Sequence, residues 1–160
     1  MKLLFLSLCI YAQKENDNWY FGFDAGMNFS NPTNPVALTD NASHWSNSSV
    51  SDANGNLLFY TDGKNIWNRE HQIMQNGSIN SILTNAISYL HDDAIAQDPF
   101  NSNRYYIFST ITFYSNNSSN TTLTGGVCTY SIIDMSLGSS GANGMPLGDV
   151  VSGGNSLPLL

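Results

Sequence analysis

The sequence predicts an all-β fold assembled from antiparallel meanders. Short runs rich in Tyr, Phe, Ile, Val and Thr alternate with clusters of Asn, Gly, Asp and Ser, which is the spacing of strands and turns. Beyond residue 12 no apolar pattern sustains the 3.6-residue period of a helix. The dipeptides Asn54-Gly55 and Asp62-Gly63 also stand between strand-like runs, where turns are needed. Strands are expected at 19–23, 48–51, 57–61, 65–68, 94–97, 105–111 and 127–134. The stretch 78–89 reads as loop or as a short helical turn.

In chain order, the first element is Met1-Lys2 followed by Leu3-Leu-Phe-Leu-Ser-Leu-Cys-Ile-Tyr11 and Ala12. One positive charge, a short apolar run and a small residue make a secretory signal peptide over 1–12, with the mature chain starting at Gln13. The run is too short to cross a bilayer, which takes about 20 apolar residues, so no transmembrane segment is expected in the mature chain. Lipoprotein processing at Cys9 is an alternative, although it calls for a small residue where Leu8 stands. A buried N-terminal strand or helix over 3–11 is the other. The leader makes the protein secreted or displayed at the cell surface.

The mature chain has the apolar content for a packed core: 41% of the sequence is hydrophobic and 12% aromatic. Only 11% is charged and the formal net charge is −7. The five cations, Lys2, Lys14, Lys64, Arg69 and Arg104, are scattered, which excludes a phosphate backbone as partner and hence nucleic acid. Removal of the leader leaves Cys128 alone, so no intramolecular disulfide forms. Its place in Val127-Cys-Thr-Tyr-Ser-Ile-Ile133 predicts a buried structural thiol.

The sharpest local signal is Val50-Ser-Asp-Ala-Asn-Gly-Asn-Leu-Leu-Phe-Tyr60, in which Asn54-Gly55 favours positive φ at both positions and hence a tight primed hairpin turn. A second turn at Asp62-Gly63 leads into Lys64-Asn-Ile-Trp67, making a three-strand meander. A shift of 48 residues lays Leu57-Leu-Phe-Tyr-Thr61 on Tyr105-Tyr-Ile-Phe-Ser109. Each run follows a strand-like segment ending in Asp, at Asp52 and Asp98. A period in the forties is that of propeller blades, four-stranded meanders that bury their faces by stacking on neighbours. The expected architecture is a partial β-propeller, its first two to three blades, in an incomplete domain over 13–160 with blade-like repeats at about 48–68 and 94–134. In the second repeat a long loop, 112–126, is expected before the last strand, with its low-complexity part, 116–122, exposed and mobile.

Several strings then resemble one family. Trp19-Tyr-Phe-Gly22 with Ala25-Gly26, Pro35-Val-Ala-Leu38, Ser51-Asp-Ala-Asn-Gly-Asn-Leu-Leu-Phe-Tyr-Thr-Asp-Gly63, Ile66-Trp-Asn68, Tyr130-Ser-Ile-Ile-Asp-Met-Ser-Leu137 and Leu147-Gly-Asp149 look like the opening of large secreted Bacteroidetes surface proteins. These have a propeller-like N-terminal region and often a type IX secretion, type B sorting domain of the kind linked to gliding motility. The resemblance implies an exported surface protein and brings no catalytic residues. Two departures stand out. His91-Asp-Asp-Ala-Ile-Ala-Gln-Asp-Pro99 replaces a more apolar strand and turn, and no sorting domain is present.

No residue is assigned a catalytic, cofactor-binding or metal role. His44, His71 and His91, with Asp92 and Asp93, are the candidates for metal or acid–base chemistry, but no two histidines are closer than 20 residues apart and all read as solvated loop groups. Asp52, Asn54 and Asn56 place oxygens at alternate positions as calcium loops do, yet the hairpin turn accounts for each. Serines lack a nucleophile elbow, and Gly125-Gly126 and Gly153-Gly154 lack the strand–glycine–helix context of a phosphate loop. Trp19, Trp45 and Trp67 are candidates for stacking on carbohydrate, but Trp19 and Trp67 read rather as packing between blades, and Trp45, in the polar run 41–49, as the exposed contact. The functional expectation is a non-enzymatic binding or adhesion module, the N-terminal fragment of a larger surface protein whose partner is an unknown protein or glycan at the cell surface. The alternative is a secreted hydrolase or lyase completed by later blades, with His91, Asp92 and Asp93 contributing.

Overall fold

The computed structural model describes residues 14–39, 48–78, 93–117, 120–151 and 157–158, with backbone alone over 111–117 and 120–124. Residues 1–12, the stretch 79–89 and the run 41–47 lie outside the described residues.

After a single 3-10 turn at Lys14–Asn16 the described chain forms strands throughout: β1 (Asn18–Gly22), β2 (Ala25–Asn28), β3 (Val36–Leu38), β4 (Ser48–Ser51), β5 (Leu57–Thr61), β6 (Asn65–Asn68), β7 (Ile73–Ser78), β8 (Asp93–Asp98), β9 (Asn101–Asn117), β10 (Asn120–Asp134), β11 (Asp149–Val150) and β12 (Leu157–Pro158). The protein is all-β, and every strand expected from the sequence is present. The short strands β2, β3, β7, β11 and β12 escaped the sequence reading. β7 shows why: Gln75-Asn76-Gly77 reads as a turn, and Asn76 does take φ 55 inside the strand. The burial of Met74 keeps the segment in the sheet all the same.

β1, β2 and β3 form one antiparallel sheet in that order. β4 to β7 form an antiparallel meander, and β8, β9 and β10 form another. β11 joins the two, antiparallel to β10 and parallel to β7 through Asp149 opposite Gln75. The result is a single nine-stranded sheet that curls into a nearly closed, barrel-like form. Its edge strands meet again where Ser48 Oγ donates to the Asp93 carbonyl at 2.6 Å.

The packing follows from strand alternation, which sends successive side chains to opposite faces. Phe59 and Tyr60, neighbours on β5 and both fully buried, face opposite ways. Phe59 joins Val50, Ile66 and Met74 against Tyr105, Ile107, Ile133, Met135 and Val150 from the second meander and its partners. Tyr60 and Trp67 instead meet Tyr20, with Leu38 and Leu57 packed around them. The first meander is thus the middle of three layers, and burying each of these large side chains contributes roughly 1.5–3 kcal/mol.

The turns depart from expectation in one case. Asp52 and Asn56 close a three-residue loop in which Gly55 alone is left-handed, with φ 88, and a register shift follows at Val50 and Ser51. The hairpin is therefore bulged rather than tightly primed. At the next turn Gly63 has φ 75, and Asp62 Oδ1 accepts from the Lys64 and Asn65 amides at 2.9 and 2.8 Å.

The expected loop over 112–126 is overturned. β9 and β10 continue as one long hairpin, in register from Arg104 opposite Asp134 to Asn117 opposite Asn120, with a bulge between Leu123 and Gly125. Thr, Tyr and Phe in 110–114 and Thr121, Thr122 and Leu123 carry strand preference that outweighs the Asn and Ser between them. The 48-residue correspondence does place equivalent strands: β5 and β9 are each the second strand of their meander, and Phe59 and Ile107 sit fully buried in the same core.

Candidate functional site

The first strands of the three layers converge. Ser49 Oγ on β4 donates to the Asn18 carbonyl on β1 at 2.6 Å, and Ser48 on the same strand reaches β8. Asn18 adds a buried knot: its Nδ2 donates to Ser51 Oγ and to the Gly55 carbonyl, each at 2.9 Å, and its Oδ1 accepts from Asn28 Nδ2 at 2.7 Å. At this junction lies an open groove of about 450 Å³ lined by Asn16, Trp19, Tyr20, Phe21, Ser48, Ser49 and Ile95.

Trp19 dominates the groove. β1 alternates, so Asn18, Tyr20 and Gly22 are buried while Trp19 and Phe21 point outward, 50% and 53% exposed. The indole is held in place from three sides. Its Nε1 donates to the Asn16 carbonyl at 2.8 Å, and the rings of Phe29 and Phe21 approach edge-on with centroids at 5.4 and 6.4 Å. The expected packing role of Trp19 is therefore corrected, because β1 is read correctly as a strand but Tyr20, not Trp19, occupies its inward face. Alternation along β1 puts Trp19 and Tyr20 on opposite faces, but which face turns inward is set by the packing of Tyr20 on Tyr60. Trp67 does pack between layers, stacked on Tyr60 at 5.3 Å and 11°. Trp45 lies outside the described residues.

The other candidates resolve into structural roles. His71 takes φ 59 in the β6–β7 turn, where its Nδ1 lies 3.2 Å from the Tyr60 hydroxyl and its ring meets Tyr20 and Tyr60. It is a packed turn residue rather than a solvated one. Asp93 packs its carboxylate against Gly63, both oxygens 2.6 Å from where a Cβ on that glycine would sit. His44, His91, Asp92 and Gly153-Gly154 lie outside the described residues. Among those described, no group of three or more His, Cys, Asp or Glu side chains is placed to hold a metal. The Asp52 carboxylate is taken up by its own turn, accepting from the Asn54 and Asn56 amides at 2.8 and 2.9 Å and from Asn56 Nδ2. Burial pushes that carboxyl up, but these hydrogen bonds outweigh it and hold it below the ordinary carboxylate range. Gly125 and Gly126 belong to β10, at its bulge. Cys128 is a free, half-buried thiol rather than a buried one, because alternation along β10 turns Thr129, Ser131 and Ile133 into the core and leaves Cys128, Tyr130 and Ile132 on the other face.

A second cleft, about 330 Å³, is lined in part by Glu15, Asp52, Arg69, Gln97 and Tyr105. Several of its polar groups hold the fold, while Glu15 Oε2 and Arg69 Nε are buried without a hydrogen-bond partner among the described residues. An Arg69 terminal nitrogen donates to the Met145 and Pro146 carbonyls at 2.7 and 2.6 Å, and Gln97 Nε2 donates to the Tyr105 hydroxyl at 3.2 Å. Burial raises the Tyr105 hydroxyl above the ordinary phenol range, against the Gln97 bond, and the charges of Glu15 and Asp52 reinforce it.

The two outer layers also carry aromatic outer faces. On one, Trp19 and Phe21 lie beside Met27, the partner of Trp19 across β1–β2. On the other, Tyr106, Phe108 and Tyr130 form a half-buried cluster with centroids 6.3–6.5 Å apart. Searches against family models, curated proteins and solved structures return no match for this chain. What the chain does must be argued from its own geometry.

Proposed function

We propose that this protein is an exported, non-enzymatic binding or adhesion module at the cell surface, built as the first sheets of a propeller-like ring and forming the N-terminal part of a larger surface protein. One observation carries the reading: the β1–β3 sheet packs on one face of the first meander and the second meander packs on the other, their first strands converge, and both outer layers keep aromatic faces. Blades arranged around an axis have this logic, each burying its faces only against neighbours. Exposed aromatic patches of this kind mark surfaces that meet something else. The apolar leader supports export, and the groove beside the converging strands gives the module a place to hold a partner.

The test is to express the complete reading frame in its source organism with and without residues 1–12. Surface protease sensitivity on intact cells, together with attachment of the purified protein to those cells, is the expected result of the intact leader. A product retained inside the cell in both cases, or one that hydrolyses a polymer without binding any surface, overturns the proposal.

A further inference from the structure

The groove where β1, β4 and β8 meet allows a ligand class to be named, an inference that rests on the binding-module reading above. We propose that it takes a neutral saccharide, the C–H face of a sugar ring lying on the Trp19 indole and the sugar hydroxyls meeting Asn16, Ser48 and Ser49.

The first ground is rigidity. Trp19 is half exposed yet fixed by its bond to the Asn16 carbonyl and by the flanking Phe29 and Phe21 rings. A large flat ring positioned before the ligand arrives loses little conformational entropy on binding.

The second ground is charge. Among the described residues that line the groove, every side chain is uncharged. An ionic ligand would give up hydration there with no opposite charge to replace it.

The third ground is the direction of the hydrogen bonds. Ser48 and Ser49 commit their protons to the Asp93 and Asn18 carbonyls, each at 2.6 Å. Their oxygens then have lone pairs to offer and no proton, so they suit a ligand that donates. Sugar hydroxyls donate; a phosphate or carboxylate does not. The same two bonds knit β4 to β1 and β8, so a peptide could add as a further strand there only by breaking them. The groove, about 450 Å³ and open to solvent, has room for a saccharide ring.

The experiment is isothermal titration of the purified protein with cellohexaose, maltohexaose, mannohexaose and chitohexaose, and with polygalacturonate and a heparin hexasaccharide as acidic probes. Wild type is compared with Trp19→Ala and with Trp19→Leu, which keeps apolar bulk but removes the π face, and melting temperatures report folding. The expected result is that at least one neutral sugar binds, that Trp19→Leu weakens it about tenfold while the variant still melts as a folded protein, and that acidic sugars do not compete. Binding of acidic sugars alone, or neutral-sugar binding unchanged in a folded Trp19→Leu protein, overturns the proposal. If no sugar binds while the protein still attaches to cells through Trp19, the saccharide is wrong and the module reading stands, with a protein as partner. If attachment is absent too, both fall.

Discussion

Replacing Tyr60 with leucine tests whether the three layers are coupled as their rings suggest. Tyr60 is fully buried, its ring 4.8 Å from Tyr20 at 22° and 5.3 Å from Trp67 at 11°, with its hydroxyl 3.2 Å from His71 Nδ1. Each aromatic pair is worth about 0.5–1.5 kcal/mol beyond its burial, and the lost hydroxyl contact about 1 kcal/mol, so Tyr60→Leu should cost about 2–4 kcal/mol. A double-mutant cycle isolates the stacking. Tyr20→Leu combined with Tyr60→Leu should show a coupling of about 0.5–1.5 kcal/mol, because the first removes what the second would have lost. Phe59 and Tyr105, 5.5 Å apart at 81° on the opposite face of the meander, should couple similarly within their own cycle. Tyr20 and Tyr105 share no contact, so their costs should add to within about 0.5 kcal/mol. Urea denaturation followed by far-UV circular dichroism and Trp fluorescence supplies the free energies. A Tyr20–Tyr60 coupling indistinguishable from zero in folded variants would refute the stacking of the β1–β3 sheet on the first meander.

Asn18→Ala breaks the buried knot that ties β1 to β2, β4 and the Asn54-Gly55 loop; at about 1 kcal/mol for each of its hydrogen bonds it should cost about 3 kcal/mol and lower the melting temperature by roughly 6–12 °C in a thermal scan. Gly138 has φ 85 and a Cβ there would strike the Gly148 carbonyl, whereas Gly144, at φ 78, has nothing within 4 Å. Alanine at 138 should therefore destabilise by more than the roughly 1–2 kcal/mol of backbone strain expected at 144, and equal costs in urea melts would contradict the close approach. Acid stability should follow Asp52 and Asp134. Burial pushes the Asp134 carboxyl up, but bonds from the Ser136 hydroxyl and amide and the charge of Arg104 hold it below the ordinary range, as the loop amides do for Asp52. Both carboxyls are easier to protonate in the unfolded chain. The stability they lend is full above about pH 4 and declines as pH falls below it. Asp134→Asn should flatten that decline in a series of urea melts from neutral to acidic pH, and an unchanged slope would remove Asp134 from the account.

Much of the fold was legible because strand chemistry is local. Asn54-Gly55 and Asp62-Gly63 fixed where the chain reverses, and the aromatic and β-branched runs between them fixed β4, β5 and β6. The length of β9 and β10 was misread where that chemistry was mixed: Ser115-Asn-Asn117 reads as loop by composition, yet pairing with Asn120-Thr-Thr122 draws it into the hairpin. β7 escaped because Gln75-Asn76-Gly77 reads as a turn, and β11 because a two-residue strand is held by its neighbours rather than by its own residues. The candidate site was half legible. Its residues, Trp19 among them, stood in the sequence, but the choice between Trp19 and Tyr20 as the inward ring depends on which face of β1 meets Tyr60.

By itself the sequence determined an all-β chain, the turns of its first meander, the apolar run at its start and the shortage of cations. These follow from residue type and near-neighbour spacing, which act over a few positions of backbone. Only the tertiary structure decided that β1, β4 and β8 come together, that Ser48 and Ser49 bridge them, and that Trp19 stands on the groove they form. Those contacts join residues more than thirty positions apart, such as Asn18 and Ser49, and no local preference encodes them. They arise when Phe59 and Tyr60 are buried on opposite faces of one strand, which requires a sheet on each side.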